Sequence, residues 1–200
     1  MTDFKLNLGC GVKHLSGWVN VDRDARFNPD QVHNLEELPW PWATSSVREV
    51  LLSHVLEHLG QSSDTFLAII QELWRVCCHN ALITIMVPHV RSDAFLADPT
   101  HVRPILAEGL ALFDQRANRH WLERQQSNTP LGLMLGVDFR IEAVNLLLTE
   151  PWIAKLKKGE ITEAGIDEAA RTFGNVVEEV TIRWRVVKAD DASVQRQSAE

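Results

Sequence analysis

No stretch of this chain stays apolar for the roughly 20 residues that a bilayer-spanning helix needs, and no basic segment leading into an apolar run opens it; the first residues pass directly into "FKLNLG". Neither a membrane partner nor a secretory route is therefore expected. Cysteine is scarce too. Cys10, Cys77 and Cys78 form an odd set with two immediate neighbours, which makes a poor disulfide framework, so reduced thiols in a cytoplasm are the expectation. Positive charge is in deficit: 20 Lys and Arg stand against 27 Asp and Glu, a net charge of −7. Nucleic-acid binders draw much of their affinity from phosphate contacts and are more often basic, so this balance disfavours DNA or RNA. Internal repeats and low-complexity tracts are absent as well.

What is present is an ordinary globular composition, 45% hydrophobic and 24% charged, at a length suited to one domain with a substantial core. That domain is expected to span residues 1–188, with the polar residues 189–200, "ADDASVQRQSAE", as a flexible tail. Four short apolar segments, "FKLNL" (Phe4 to Leu8), "WVNV" (Trp18 to Val21), "VREVLLS" (Val47 to Ser53) and "ALITIMV" (Ala81 to Val87), read as strands. Near-continuous apolar runs suit a parallel sheet covered on both faces. Between the last two, Phe66, Ile69, Ile70, Leu73, Trp74 and Cys77 share one helical face. Ser62 or Ser63 can cap that helix, and Asp64 suits its first turn. A strand, a helix and a strand make a βαβ unit, hence an α/β fold. Farther along, "DFRIEAVNLLL" (Asp138 to Leu148) is strand-like. In "VTIRWRVVK", Val180, Ile182, Trp184 and Val186 alternate with Thr181, Arg183 and Arg185, which predicts an antiparallel strand near a sheet edge. The polar segment Lys155 to Asn175 connects the two. The long stretch at about 89–137, where Pro104 can open a short helix through Phe113, reads as a lid or substrate insertion.

Chemistry begins at "LNLGCG". Gly9, Cys10 and Gly11 end the first strand, where glycines let the backbone turn sharply and approach a ligand closely. The second strand ends in Asp22, placed to accept hydrogen bonds from a ribose diol. Together they favour an adenosine-containing ligand. A dinucleotide is disfavoured: the third glycine of G-x-G-x-x-G is replaced by His14, no proper helix fits between Gly11 and Gly17, and Asp22 falls short of the usual spacing of about 20 residues. The ligand expected has no pyrophosphate.

The ordered set "LNLGCG", "GWVNVD", "LPWPW", "SHVLEHL", "ELWRV", "VPH" and "DPTHVR" resembles the class I S-adenosylmethionine-dependent methyltransferases, over roughly Lys5 to Arg103. The resemblance implies a Rossmann-like, mostly parallel seven-stranded sheet with an antiparallel C-terminal strand and helices on both faces. It implies S-adenosylmethionine as cofactor and S-adenosylhomocysteine as product. By the same resemblance Gly9, Cys10 and Gly11 pass beneath the methionine part and ribose, Asp22 holds the diol, Asn34 and Leu35 frame the adenine, and Ser53 and His54 lie beside the departing methyl group. Asn7 occupies the position of the first-motif acid, Asn34 that of an aspartate, and "CCHN" that of a lysine-proline-glycine-glycine turn.

His54-Val55-Leu56-Glu57-His58 also spells H-x-x-E-H, a zinc-hydrolase signature. Such a site needs its histidines inside a helix, whereas His54 directly follows a strand. No metal is expected, and a metallohydrolase is the weakest of three readings. Glu57 either caps the next helix or faces the cleft; His54, His58 and His101 are the candidates for catalytic base. In "ADPTHVR", Asp98 either bonds its own backbone two residues on or points at the acceptor with His101 and Arg103, the last as a fork for a carboxylate or phosphate. His89 joins these as a substrate-side candidate. "LPWPW" reads as a stiff loop packing its indoles, and "RANRHWLERQ" as an exposed helix face. The leading expectation is methyl transfer by in-line displacement to a small-molecule or glycan-type acceptor, with placement and desolvation as the protein's share. The second reading is a binding protein of this fold with weak or no catalysis.

Overall fold

The computed structural model describes residues 4–188; the expected tail at 189–200 lies outside them. Seven strands form one sheet in the order β3-β2-β1-β4-β5-β7-β6. They are β1 (Phe4–Leu8), β2 (Val19–Asp22), β3 (Gln31–Val32), β4 (Val47–Ser53), β5 (Cys77–Pro88), β6 (Phe139–Leu148) and β7 (Val177–Val186). The first five are mutually parallel. β7 runs antiparallel to both β5 and β6. The alternation in β7 has its physical consequence here: Val180, Ile182, Trp184 and Val186 are buried, and Trp184 stacks on Phe139 of β6 at 3.9 Å between ring centroids.

Between β4 and β5, α1 (Ser63–Val76) turns Phe66, Ile69, Ile70, Leu73 and Val76 into the core. Ser62 is its N-cap, accepting from the Thr65 amide. The "LPWPW" loop packs as expected. Trp40 and Trp42 are buried edge to face, and the loop is clamped to α1 by two side chains of that helix. Glu72 accepts from the Trp40 amide at 2.7 Å, while Arg75 donates to the carbonyls of Trp40 and Trp42 at 3.0 Å each.

The structure corrects several boundaries. β2 begins one residue later than expected, at Val19. "CCHN" is no turn at all: α1 hands over to β5 directly at Cys77, and the surplus chain is absorbed as a register shift in which Val47 pairs with Cys77 but Glu49 with Leu82. Asn80 takes a left-handed backbone (φ 63°) there, the conformation that asparagine tolerates better than most residues. The polar segment before β7 is largely helical, as α6 (Glu150–Lys157) and α7 (Glu163–Thr172). In the 89–137 stretch lie α2 (Asp93–Leu96), α3 (Ala107–Leu110), α4 (Gln115–Glu123) and α5 (Leu131–Leu135); α3 starts three residues after Pro104 and continues as a 3-10 turn to Phe113. No described helix is long and apolar enough to cross a membrane.

Candidate functional site

In this strand order β1 is followed on one side by β2 and β3 and on the other by β4 and β5. The order in which strands are added across the sheet therefore reverses between β1 and β4, and open α/β sheets bind ligands outside the carboxyl ends of the strands at such a point. A cavity of about 270 Å³ opens there. Gly9 after β1, Asp22 at the end of β2, Asn34 and Leu35 after β3, and His54 and His58 after β4 all line it.

Its floor is a folded-over glycine loop. Gly9 has φ 66°, and a Cβ there would lie 2.4 Å from Val55 Cγ2. Glycine is needed because "HVLEHL" packs onto the loop, a second reason beyond ligand approach. The Cys10 amide donates to Val21 O at 2.9 Å and the Gly11 amide to Asp22 Oδ2 at 2.8 Å. Asp22 Oδ1 accepts from the Asp24 amide at 2.9 Å. A carboxylate has about four acceptor sites, so these two bonds fix its orientation and leave capacity for a diol.

Asn7 does not line the cavity. It is buried, and its amide donates to Lys13 O and to Asn20 Oδ1, while Asn20 Oδ1 also accepts from Leu15 N. Asn7 thus holds the 9–17 loop in shape and is placed to serve a ligand only through that loop. Cys10 is likewise buried, its thiol pKa raised by burial and then by the Asp22 charge. Ser53 ends β4 beside the cavity, paired to Met86. Asn34 Oδ1 accepts from the Glu36 amide at 3.1 Å; Glu36 in turn accepts from Gly60 N at 2.7 Å, tying the loop after β3 to the end of "HVLEHL".

The H-x-x-E-H stretch does not form a zincin helix. His54 takes φ 57°, and Leu56–His58 is a 3-10 turn, so the spacing that would align its two histidines on one metal is lost. Another constellation replaces it. The Glu57 side chain is completely buried, and neither carboxylate oxygen has a hydrogen-bond partner. His54 Nδ1 lies 3.6 Å from Glu57 Oε1, and His54 Nε2 donates to Glu179 Oε2 of β7 at 2.9 Å. Glu57 raises the His54 pKa, with Glu179 adding and burial opposing. From the "DPTHVR" loop, His101 places Nε2 at 4.0 Å from Glu57 Oε1, and its ring meets that of His58 at 4.6 Å.

That loop is fastened to the turn by its backbone: the amides of Val102 and Arg103 both donate to Glu57 O. Asp98 behaves as its local chemistry dictates. Oδ1 accepts from the Thr100 amide at 2.8 Å and hydroxyl at 2.6 Å, and these bonds lower its pKa. Oδ2 faces His101 Nε2 at 3.8 Å. Arg103 does not line this cavity. Its guanidinium donates to Gly60 O at 2.7 Å and lies over the Phe66 ring at 4.2 Å. It braces the start of α1 and lines a neighbouring apolar cavity of about 340 Å³, together with Phe66, Ile105, Leu110 and Phe113. His89 is also displaced from the expected place. It faces a separate surface hollow with Arg91, Leu106 and Asp167, its pKa lowered by burial and then by Arg91.

Glu57, Thr100 and Glu179 are the side chains that motif reading undervalued or missed. The signal for Glu57 was its place between two histidines; Glu179 carried none, since only the antiparallel pairing of β7 with β5, Pro88 opposite Glu179, brings it to His54.

No family model matches the chain, and no curated protein matches it in sequence. Solved structures do. A methyltransferase dependent on S-adenosylmethionine from Archaeoglobus fulgidus superposes with TM-score 0.60 at 17% identity, over 92% of this chain and 86% of that one. Counterparts from Methanosarcina mazei (TM-score 0.52, 14% identity, 94% of each chain) and Thermotoga maritima (0.52, 15%, 94% of this chain and 83% of that one) superpose similarly. At these identities the likeness is one of architecture: the chain has the Rossmann-like fold of the class I methyltransferases.

Proposed function

We propose that this chain is an S-adenosylmethionine-dependent methyltransferase whose acceptor is a small molecule or glycan. One observation carries the proposal: Gly9, Asp22 and Leu35, predicted from separate motifs to touch a single nucleoside, converge on one cavity at the β1/β4 switch point. The residues fit the group. The glycine loop leaves the backbone bare, Asp22 retains acceptor capacity for a ribose diol, and Leu35 supplies an apolar wall for adenine beside Asn34. Bound there, S-adenosylmethionine supplies a methyl group already activated on a sulfonium centre.

The chain's own share is placement and proton handling. An amine acceptor needs no base; a hydroxyl acceptor loses its proton, and of the three imidazoles that line the cavity His54 and His58 follow β4, whereas His33 sits beside Asn34. His101 stands behind His58 as a positioning group. Residues 89–137, which carry the "DPTHVR" loop and wall the apolar cavity beyond it, form the acceptor side. Asp98 orders that loop.

Isothermal calorimetry with S-adenosylmethionine and S-adenosylhomocysteine tests the cofactor assignment. Both are expected to bind, and Asp22→Ala to weaken them about 5- to 150-fold, the equivalent of roughly 1–3 kcal/mol for partners left unpaired. Unchanged affinity in that variant removes Asp22 from the ribose. Donor turnover across hydroxyl and amine acceptors then separates an enzyme from a binding protein: cofactor binding without turnover favours the latter.

A further inference from the structure

The structure assigns a divalent metal site to Glu57, His58 and His101, at the edge of the cavity and distinct from the nucleoside contacts. Each of these residues offers one ligand atom, and the three atoms lie within 4.8 Å of one another. Tetrahedral ligation at about 2.0–2.2 Å sets donor atoms about 3.3–3.6 Å apart, so the three would draw together by up to about an ångström around an ion.

Three features of the surroundings point to an ion. The first is Glu57 itself, completely buried and with no hydrogen bond to either carboxylate oxygen, His54 Nδ1 standing off at 3.6 Å. A buried carboxylate in that condition is costly unless something positive meets it. The second is the tautomer imposed on His101. Its Nδ1 lies 2.8 Å from Phe95 O; a carbonyl only accepts, so Nδ1 carries a proton, and in the neutral ring Nε2 turns a lone pair toward Glu57. Two acceptors facing each other repel, unless a cation lies between them. The third is the tautomer imposed on His58. The Thr100 hydroxyl donates to Asp98 Oδ1 at 2.6 Å. Its oxygen therefore accepts from His58 Nδ1 at 3.0 Å, which leaves His58 Nε2 as that ring's free lone pair. Metal-bound histidines are held in this way, the second ring nitrogen donating to a carbonyl or to a hydrogen-bonded oxygen.

Two imidazoles and one carboxylate suit zinc and the neighbouring first-row ions, not magnesium or calcium. Asp98 Oδ2, 3.8 Å from His101 Nε2, is the nearest further oxygen donor. Because His58 and Thr100 also line the nucleoside cavity, an ion here would face whatever enters beside the cofactor and would favour an acceptor oxygen able to ligate it; that last clause rests on the proposed function, whereas the site does not.

The test uses the whole chain with no cofactor added. After treatment with a chelator and its removal, Zn²⁺ is titrated against a competing chromophoric chelator. One equivalent is expected, with a dissociation constant in the micromolar range or below, and Co²⁺ should give a visible d–d spectrum free of thiolate charge transfer. Glu57→Gln and His101→Ala should each weaken binding at least tenfold. Cys78→Ser and His120→Ala, remote from the cluster, should not change it. Circular dichroism checks that each variant is folded. As a readout that needs no variant, Mn²⁺ should broaden the His58 and His101 imidazole resonances of the wild-type chain first. Absence of stoichiometric binding, broadening at other histidines, or affinity lost in Cys78→Ser overturns the assignment. Failure of S-adenosylmethionine to bind leaves these readouts untouched, so the two proposals fall separately.

Discussion

Glu57 illustrates how far a single side chain can depart from what stability alone would select. Breaking an ordinary buried ion pair costs about 3–5 kcal/mol, because an uncompensated charge stays behind. Here the fold already contains a fully buried carboxylate with no hydrogen bond, met only at longer range by His54 Nδ1 at 3.6 Å. Glu57→Gln should therefore raise the melting temperature of the metal-free protein, measured by calorimetry in the presence of chelator, and lower it relative to wild type once zinc is in excess. A large loss of stability under both conditions would show that Glu57 serves the fold through His54 and His101. Gly9 makes the opposite case. It combines φ 66° with a Cβ position 2.4 Å from Val55, whereas Gly11 at φ 49° has open space around it. Backbone strain costs about 1–2 kcal/mol at either position, and overpacking adds roughly 1–3 kcal/mol at the first alone. Urea melts should accordingly find Gly9→Ala clearly less stable than Gly11→Ala.

At the scale of elements, the clamp between α1 and the "LPWPW" loop couples stability to pH. Glu72 takes hydrogen bonds from Arg75 and from the Trp40 amide, and these, the Arg75 bonds first, hold its pKa below the ordinary value of 4.5. A depressed carboxylate adds stability that is present above its unfolded pKa and lost as pH falls through the folded one. Glu72→Gln should thus cost about 1–3 kcal/mol near neutrality, with the difference from wild type shrinking as pH drops below about 4.5 in a series of urea melts; a constant difference would assign the effect to packing. The elements themselves were legible where one periodicity ran uninterrupted. β1 and β4 were predicted to the residue, as was the buried side of β7, and the face of α1 as far as Leu73; Cys77, expected on that face, opens β5 instead, and Val76 closes the helix's buried side. Legibility failed where the cause is tertiary. The two-residue β3 exists only because β2 offers it an edge. "CCHN" lies in a strand because β4 pairs on either side of a register shift. In the site the motifs brought Gly9, Asp22, Asn34, Leu35, His54 and His58 to one cavity, since each follows or ends a strand. They did not reveal that Arg103 bonds Gly60 O and lies over Phe66, or that Glu179 reaches His54, because those partners are 37 or more residues away in sequence or depend on the direction of a distant strand.

For the whole molecule, the two proposed sites share a wall, and this has a measurable consequence. A ligand that binds only the folded state stabilises it by RT ln(1 + [L]/Kd), about 2.7 kcal/mol at a hundredfold excess over Kd. For a chain of 150–250 residues that corresponds to a rise in melting temperature of roughly 5–11 °C. S-adenosylhomocysteine alone and zinc alone should each give a shift of that order at saturation. Were the sites independent, the two free energies would add. His58 and Thr100, however, line the nucleoside cavity while belonging to the metal cluster or its hydrogen-bonded support, and Val55, two residues before Glu57, is the side chain packed against the glycine loop. Groups in contact couple by about 0.5–3 kcal/mol, and the coupling must be reciprocal. An ion that fixes His58 removes motion the nucleoside would otherwise have to arrest, so each ligand should bind more tightly in the presence of the other. Calorimetric titration of S-adenosylhomocysteine with and without saturating zinc, and of zinc with and without S-adenosylhomocysteine, should return the same fold-change. That fold-change should disappear in His58→Ala and persist in His120→Ala, whose side chain lies on α4 outside both sites.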